Sequence, residues 1–227
     1  AGNVVTGSPI SDLNPLWMCS RAAFVVAGGD PSQQRRVEAK DFFLGYRKVD
    51  LRDHEILYQV ELPCTRKFEY VQEFKQAHRR EDDISIVCAG MRVKFAREGS
   101  DWVVEDIALA YGGVAAKTVM APKTQQALVG RKWDRETLLK ALELLKEELH
   151  IAADAPGGMV EFRRSLIASF FFKFFVYVSL ALEADTLETS RYISHLSPTD
   201  RLAADATARE PSRGSQYYAK DKDGKEV

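Results

Sequence analysis

The run Phe74-Lys75-Gln76-Ala77-His78-Arg79-Arg80-Glu81-Asp82-Asp83-Ile84 decides the fold. An apolar and cationic segment passes into five consecutive charged residues, Arg79 to Asp83, and returns at once to apolar sequence. Charge this dense between two apolar segments belongs in a loop at a sheet edge or rim, and loops carried on rigid strands concentrate binding chemistry. On the upstream side, 68–76 places Phe68, Tyr70, Gln72 and Phe74 on one face of a strand. On the downstream side, 84–97 opens with Ile84-Ser85-Ile86-Val87-Cys88-Ala89 and ends with Val93 and Phe95 alternating. A turn at Gly99-Ser100 leads into another strand over 102–111. Before them, 55–62 sets Ile56, Tyr58, Val60 and Leu62 against Glu55, Gln59 and Glu61, and Pro63 stops it. Four strands in a row with short turns predict one antiparallel sheet.

Further out, residues 1–20 are rich in Gly, Ser, Pro and Asn and read as loop and turn. Short strands are expected over 22–27 and 35–39, around the turn Gly28-Gly29-Asp30-Pro31, followed by an aromatic corner over 41–46. Helices follow the sheet. Residues 122–129 fit a short one, stopped by Gly130. Asp134 is a good N-cap for a second helix running to about His150, with Leu138, Leu142, Leu145 and Leu149 in one stripe. A third spans 161–184, where Phe162, Leu166, Phe170, Phe174 and Val178 make a stripe that Ile167, Phe171, Phe175 and Leu182 widen. From 186 to 227 periodicity dissolves into Ser, Thr, Asp, Ala, Arg and Lys, the composition of a flexible linker. The fold class is therefore α+β, an antiparallel sheet packed by about three helices.

Composition narrows the function classes. The 227 residues carry 32 Lys plus Arg and 33 Asp plus Glu, a net charge of -1, which argues against a nucleic-acid partner. Cys19, Cys64 and Cys88 are scattered without a CxxC pair, which favours reduced thiols in a cytoplasmic setting. His54, His78, His150 and His195 show no ligand spacing, so no metal site is expected. The first twenty residues lack a basic start and a continuous apolar core, so no signal peptide is expected. The apolar stretch 166–182 falls short of the roughly 20 residues of a span and has Lys173 at its centre. It is expected to be a buried helix, and no membrane partner is expected. Gly112-Gly113 and Gly157-Gly158 fit no phosphate-loop pattern and are expected to serve close backbone packing.

The segment Gly2-Asn3-Val4-Val5-Thr6, continued by Ser8-Pro9-Ile10-Ser11-Asp12-Leu13-Asn14-Pro15, is polar and rich in exposed main chain. Alone it reads as an Asx-rich turn. Its wording, however, resembles the GGNxxTxSPISDLNP segment of xanthine dehydrogenases, the molybdenum hydroxylases of purine breakdown. The charged run resembles the same family's FKQAxRREDDI, and Phe42-Phe43-Leu44-Gly45-Tyr46-Arg47-Lys48 its FFxGYRK. Further likenesses are Glu55-Ile56-Leu57, Tyr111-Gly112-Gly113-Val114-Ala115, the stretch 154–163 and the stretch 169–174. The resemblance runs from Gly2 to about Val178 and is closest to plant members; Gln216-Tyr217-Tyr218 is a fainter echo of the linker to the molybdenum domain.

The resemblance implies the C-terminal part of a flavin domain. Residues 1–62 would be the tail of an FAD-binding subdomain, 63–185 a C-terminal domain of the CO-dehydrogenase flavoprotein type, and 186–227 a linker. FAD is the implied cofactor, and Gly2, Asn3, Thr6, Asp12, Leu57 and Lys75 its implied contacts, with no catalytic residue in the chain. Arg79, Arg80 and Asp82 would lie in a loop beside the flavin. Lys75 would stabilise the anionic reduced flavin and Asp82 would oppose it; without the resemblance the same loop reads as a solvated hairpin. In the whole enzyme, electrons would pass from 2Fe-2S clusters through FAD to NAD, while xanthine is oxidised at molybdopterin. A homodimer and a cytoplasmic location, with the peroxisome as alternative, are also implied.

Two departures weigh against activity of the chain by itself. Ala1 stands where the family has the first Gly of its GGN pair, and the family's earlier Gly-rich FAD segment is not in the sequence. The start is therefore expected to be a cut or an incomplete gene model. Two alternatives stay open: an aldehyde oxidase flavin domain, against which the Arg79–Asp83 run argues, and a non-catalytic truncated module.

Overall fold

A computed structural model describes residues 2–30, 33–79, 83–186 and 197. The elements in chain order are α1 (Gly2–Val5), α2 (Asn14–Cys19), β1 (Ala23–Ala27), β2 (Gln34–Glu38), α3 (Ala39–Phe42), β3 (Phe43–Gly45), β4 (Lys48–Val49) and β5 (Ile56–Glu61). Then come β6 (Glu69–Ala77), β7 (Ser85–Glu98), β8 (Asp101–Gly112), β9 (Val119–Met120), α4 (Pro122–Leu128), α5 (Arg135–Glu148) and α6 (Val160–Thr186). The architecture is α+β with antiparallel sheets.

The main sheet has the order β6-β7-β8-β9, and the charged run joins its first two strands as expected. Its two faces are built from different residue sizes. Val87, Ala89, Met91, Val93 and Phe95 of β7, with Ile107, Leu109 and Tyr111 of β8, enter one core with α4, α5 and α6. The alternate residues Ala108 and Ala110 enter a second core with α2, β1 and α3. Strand period two sends successive side chains to opposite faces, so a strand buried on both sides reads as a continuous apolar run.

Small residues on the second face let α2 approach. A Cβ on Gly90 would lie 2.5 Å from the main chain of Pro15. One on Gly112 would lie 2.6 Å from Cys88 Sγ and 2.9 Å from Pro9 O. Neither position admits a side chain. This corrects the expectation of loop throughout 1–20: Pro15 sits in the first turn of α2, where its missing N–H costs nothing.

β5 corrects a second expectation. It joins the sheet β2-β1-β5, not the main sheet. Its register shifts opposite Val25/Val26, leaving Leu57 paired with Val26 and turned toward the second core. Ile56, Tyr58 and Leu62 are 63%, 59% and 54% exposed, so the alternation marks a solvent face. The short β9 completes the main sheet and was not expected from the sequence.

The helices follow their patterns. Asp134 caps α5 by accepting from Thr137 N at 2.9 Å. α6 runs 27 residues, longer than the apolar stretch suggested and long enough by length and composition to cross a membrane. Here Phe170, Phe171, Phe174 and Phe175 pack into the main core. Phe162, expected in that stripe, is 44% exposed. Trp133 lies at the centre: its ring stacks 4.7 Å from Phe175, and its Nε1 donates to Ser179 Oγ at 3.1 Å. Burying rings of this size stabilises by about 1.5–3 kcal/mol each.

Gly112-Gly113 serves close packing, as expected, but Gly157-Gly158 does not: a Cβ at either would meet nothing within 4 Å, and their φ of 88° and 62° serves a turn instead. Gly113, at φ 81°, brings its backbone against Ile86. Arg163 donates from Nη1 to Gly113 O at 3.1 Å, and from Nε to Gly158 O at 2.8 Å. One buried guanidinium thus clamps the two turns together. Of the expected linker, only Thr186 and Ser197 are among the described residues.

Candidate functional site

Two clusters of charge sit on β6, six residues apart. The first surrounds Glu69, whose side chain is fully buried. It accepts from Arg21 Nη2 at 3.1 Å, Arg66 Nη2 at 3.1 Å, Arg66 N at 2.7 Å and Arg92 Nη1 at 2.9 Å. Arg92 is buried too; its Nε donates to Cys19 O at 2.7 Å, and its Nη1 lies 2.8 Å from Asp106. Burial opposes ionisation of Glu69, but the arginines outweigh it, and the carboxyl falls from 4.5 to about 2. Arg21 is held at φ 59°, a left-handed conformation that costs of order 1–3 kcal/mol. This cluster ties the end of α2 to the main sheet.

The second cluster gathers several of the expected site residues. Pro9 accepts from Gly113 N at 2.7 Å, and Cys88 Sγ lies 3.5 Å from Ser11 O, so the 8–15 loop is fastened to the strand ends. That fastening brings Asp12 to Lys75, with Oδ2 and Nζ 2.7 Å apart. Asp12 Oδ1 accepts from the hydroxyl of Ser85. Ser11 Oγ donates to Asn3 O at 3.4 Å, which joins α1 to the same rim. Gly2, Asn3 and Thr6 are exposed there, and a Cβ at Gly2 would meet nothing within 4 Å. Thr6 Oγ1 donates back to Gly2 O at 2.6 Å.

Asp83 closes the charged loop. Its carboxylate accepts from Arg79 N at 2.6 Å and from Ile84 N at 2.9 Å, and its pKa is lowered by the hydrogen bond from the Arg79 backbone. Arg79 itself is 3.7 Å from Asp83. Arg80 and Asp82 lie outside the described residues. Leu57 is not brought to Lys75; it packs, half-buried, against the core that contains Val4 of α1. Ser85 was missed by the sequence reading, although a lone hydroxyl inside an apolar strand was the available signal. Among the described residues no group of His, Cys, Asp and Glu could hold a metal ion. Burial raises the Cys88 thiol to about 12 and the Cys19 thiol equally, which makes both poor nucleophiles.

This arrangement suits a polar, anionic cofactor. It offers an exposed Gly2, the polar side chain of Asn3, the Thr6 hydroxyl with its lone pairs still open, and one carboxylate and one ammonium at the same rim. Comparison with known proteins gives the class. Residues 1–65 match the family model for the FAD binding domain in molybdopterin dehydrogenase, and 72–178 that for the CO dehydrogenase flavoprotein C-terminal domain. Those matches place the chain in the class of flavoprotein domains that serve molybdopterin dehydrogenases.

The relatives narrow the class. The chain is 57% identical to xanthine dehydrogenase of Oryza sativa subsp. japonica over 178 residues, 78% of this chain and 13% of that protein. It is 48% identical to xanthine dehydrogenase 1 of Arabidopsis thaliana over all of this chain and 16% of that protein. With xanthine dehydrogenase/oxidase of Gallus gallus the identity is 41%, over 96% of this chain and 16% of that protein. The chain belongs to the xanthine dehydrogenase family of molybdenum hydroxylases, as the C-terminal part of its FAD-binding domain. It spans about a sixth of the length of these curated relatives. Two solved structures share the fold. Reconstituted CO dehydrogenase from Oligotropha carboxidovorans aligns with TM-score 0.62 at 24% identity, over 74% of this chain and 56% of that one. Quinoline 2-oxidoreductase from Pseudomonas putida 86 aligns with TM-score 0.62 at 23% identity, over 83% of this chain and 61% of that one.

Proposed function

We propose that this chain binds part of FAD at the rim formed by Gly2, Asn3, Thr6, Asp12 and Lys75, and that within a whole xanthine dehydrogenase it serves electron transfer to NAD during oxidation of hypoxanthine and xanthine to urate. The carrying observation is the Asp12–Lys75 pair, held at 2.7 Å where the 8–15 loop meets β6. FAD, when bound, supplies the redox chemistry: it accepts electrons and passes them on as hydride.

The chain's own residues do the rest. Gly2 leaves room for close approach, Asn3 presents its amide to phosphate and sugar oxygens, and the Thr6 hydroxyl, whose proton goes to Gly2 O, accepts from a sugar hydroxyl. Asp12 accepts from a ribose or ribityl hydroxyl. Lys75 places a cation near the ring system, where it favours the negatively charged reduced form. Leu57 acts through the core beneath α1. Arg79, Arg80 and Asp82 belong to the loop beside the ring and bias the choice of electron acceptor.

The 2Fe-2S and molybdopterin centres, in this reading, lie in other domains of the same polypeptide, and the enzyme is a homodimer in the cytoplasm. The proposed units are 1–62, 63–185 and 186–227. A visible absorption spectrum after incubation with FAD and desalting tests the reading. Retained flavin bands that are lost in Lys75→Met and Asp12→Asn support it. A colourless wild-type protein overturns FAD binding by this chain.

A further inference from the structure

Ser85 opens β7, directly after the charged loop. It is 3% exposed, and its hydroxyl donates to Asp12 Oδ1. The other oxygen of Asp12 takes Lys75 Nζ at 2.7 Å. Asp12 and Lys75 are both partly open to solvent, with side-chain exposures of 44% and 37%. An ion pair that exposed does not by itself fix two flexible side chains in one geometry. A hydrogen bond from a buried hydroxyl to a carboxylate is charge-assisted and directional, and its donor cannot wander. Asp83, two residues before Ser85, closes the loop through Arg79 and Ile84, so the strand start that carries Ser85 is itself anchored.

We propose that Ser85 is a positioning residue of this site: its buried hydroxyl sets the Asp12 carboxylate and thereby holds the Lys75 ammonium in place. The consequence for a cofactor rests on the flavin reading above; the positioning itself does not. Removing the hydroxyl frees Asp12 to rotate, leaves Lys75 less shielded and loosens the link between the charged loop and the 8–15 loop.

The test uses the full chain without flavin. The rate of acylation of Lys75 is followed by mass spectrometry for wild type and for Ser85→Ala, Ser85→Cys and Ser85→Thr, with Asp12→Asn as the reference for a released amine. Thermal melting is recorded for each. Ser85→Ala and Ser85→Cys are expected to accelerate labelling about threefold toward the Asp12→Asn rate, the scale of one exposed ion pair. Ser85→Thr, which keeps the hydroxyl, is expected to stay at the wild-type rate. Wild-type labelling in Ser85→Ala or Ser85→Cys overturns the proposal, as does equal labelling of wild type and Asp12→Asn. Fast labelling in Ser85→Thr with unchanged melting also overturns it. FAD titration by flavin fluorescence is the second arm. A matching weakening in Ser85→Ala supports both readings. The labelling response without any FAD binding by wild type keeps the positioning role and removes the flavin reading.

Discussion

The two ends of β6 use the same chemistry to opposite purpose. At Glu69 the carboxylate and the Arg92 guanidinium are closed off from water, at 0% and 4% exposed, while Arg21 and Arg66 reach in from the surface. At Lys75, about 20 Å along the strand, the pair with Asp12 stays open to solvent. Burial makes the first pair part of the scaffold, because losing one partner strands a charge in low dielectric. Exposure leaves the second pair nearly neutral for stability, and therefore free to exchange partners with a ligand. Position relative to water, not residue type, separates structure from site.

The sharpest way to break this contrast is Glu69→Ala. It leaves buried Arg92 with only the part-exposed Asp106 as counter-charge and is expected to destabilise by about 3–5 kcal/mol in urea unfolding. A loss below about 1 kcal/mol, the range of an exposed pair, would erase the distinction. Next comes Gly90→Ala. Its new Cβ would lie 2.5 Å from Pro15, so α2 must lift from the sheet, at about 1–3 kcal/mol. Because the 8–15 loop carries Asp12, this distant change is also expected to weaken FAD retention. Retention at the wild-type level would show that the loop is held independently of α2.

Acid titration sharpens the comparison further. The Glu69 carboxyl titrates at about 2 in the fold against an ordinary 4.5, so its contribution is fully present above 4.5 and fades as pH falls toward 2. Glu69→Gln is expected to flatten the loss of stability across that window. A parallel acid profile in the variant would assign acid sensitivity elsewhere. Asp83→Asn should have the smallest effect on global stability, within about 0.5 kcal/mol, since its partner Arg79 is 74% exposed. Hydrogen exchange at the Arg79 and Ile84 amides, whose acceptor it weakens, is nevertheless expected to quicken. Unchanged exchange would mean Asp83 does not hold the loop.

Much of this was legible in the sequence where one physical signal dominated. The Leu138–Leu149 stripe and the Asp134 cap gave α5, and the flanks of the charged run gave β6 and β7. Other features needed tertiary context. α2 hides in a Ser, Pro and Asn-rich stretch because its stability comes from contact with Gly90 and Gly112, not from helix propensity. The alternation in β5 was real, but period alone cannot say which face is dry, and a register shift put Leu57 inward. At the site, Asp12 and Lys75 were nameable from the family resemblance, whereas Ser85 shows its role only when 73 residues of chain fold to bring it to Asp12.

The outward face of β5 has a colloidal consequence. Within the described residues β5 is an outer strand of its sheet, with Ile56 and Tyr58, and Leu62 just past its end, turned to water between the Arg35–Glu55 and Arg36–Glu61 bridges at its two ends. A strand with free hydrogen-bonding groups and sticky side chains is a template for another strand. Solutions of this chain should therefore be limited by concentration before they are limited by heat, and a lysine at position 58 is the economical way to keep them clear.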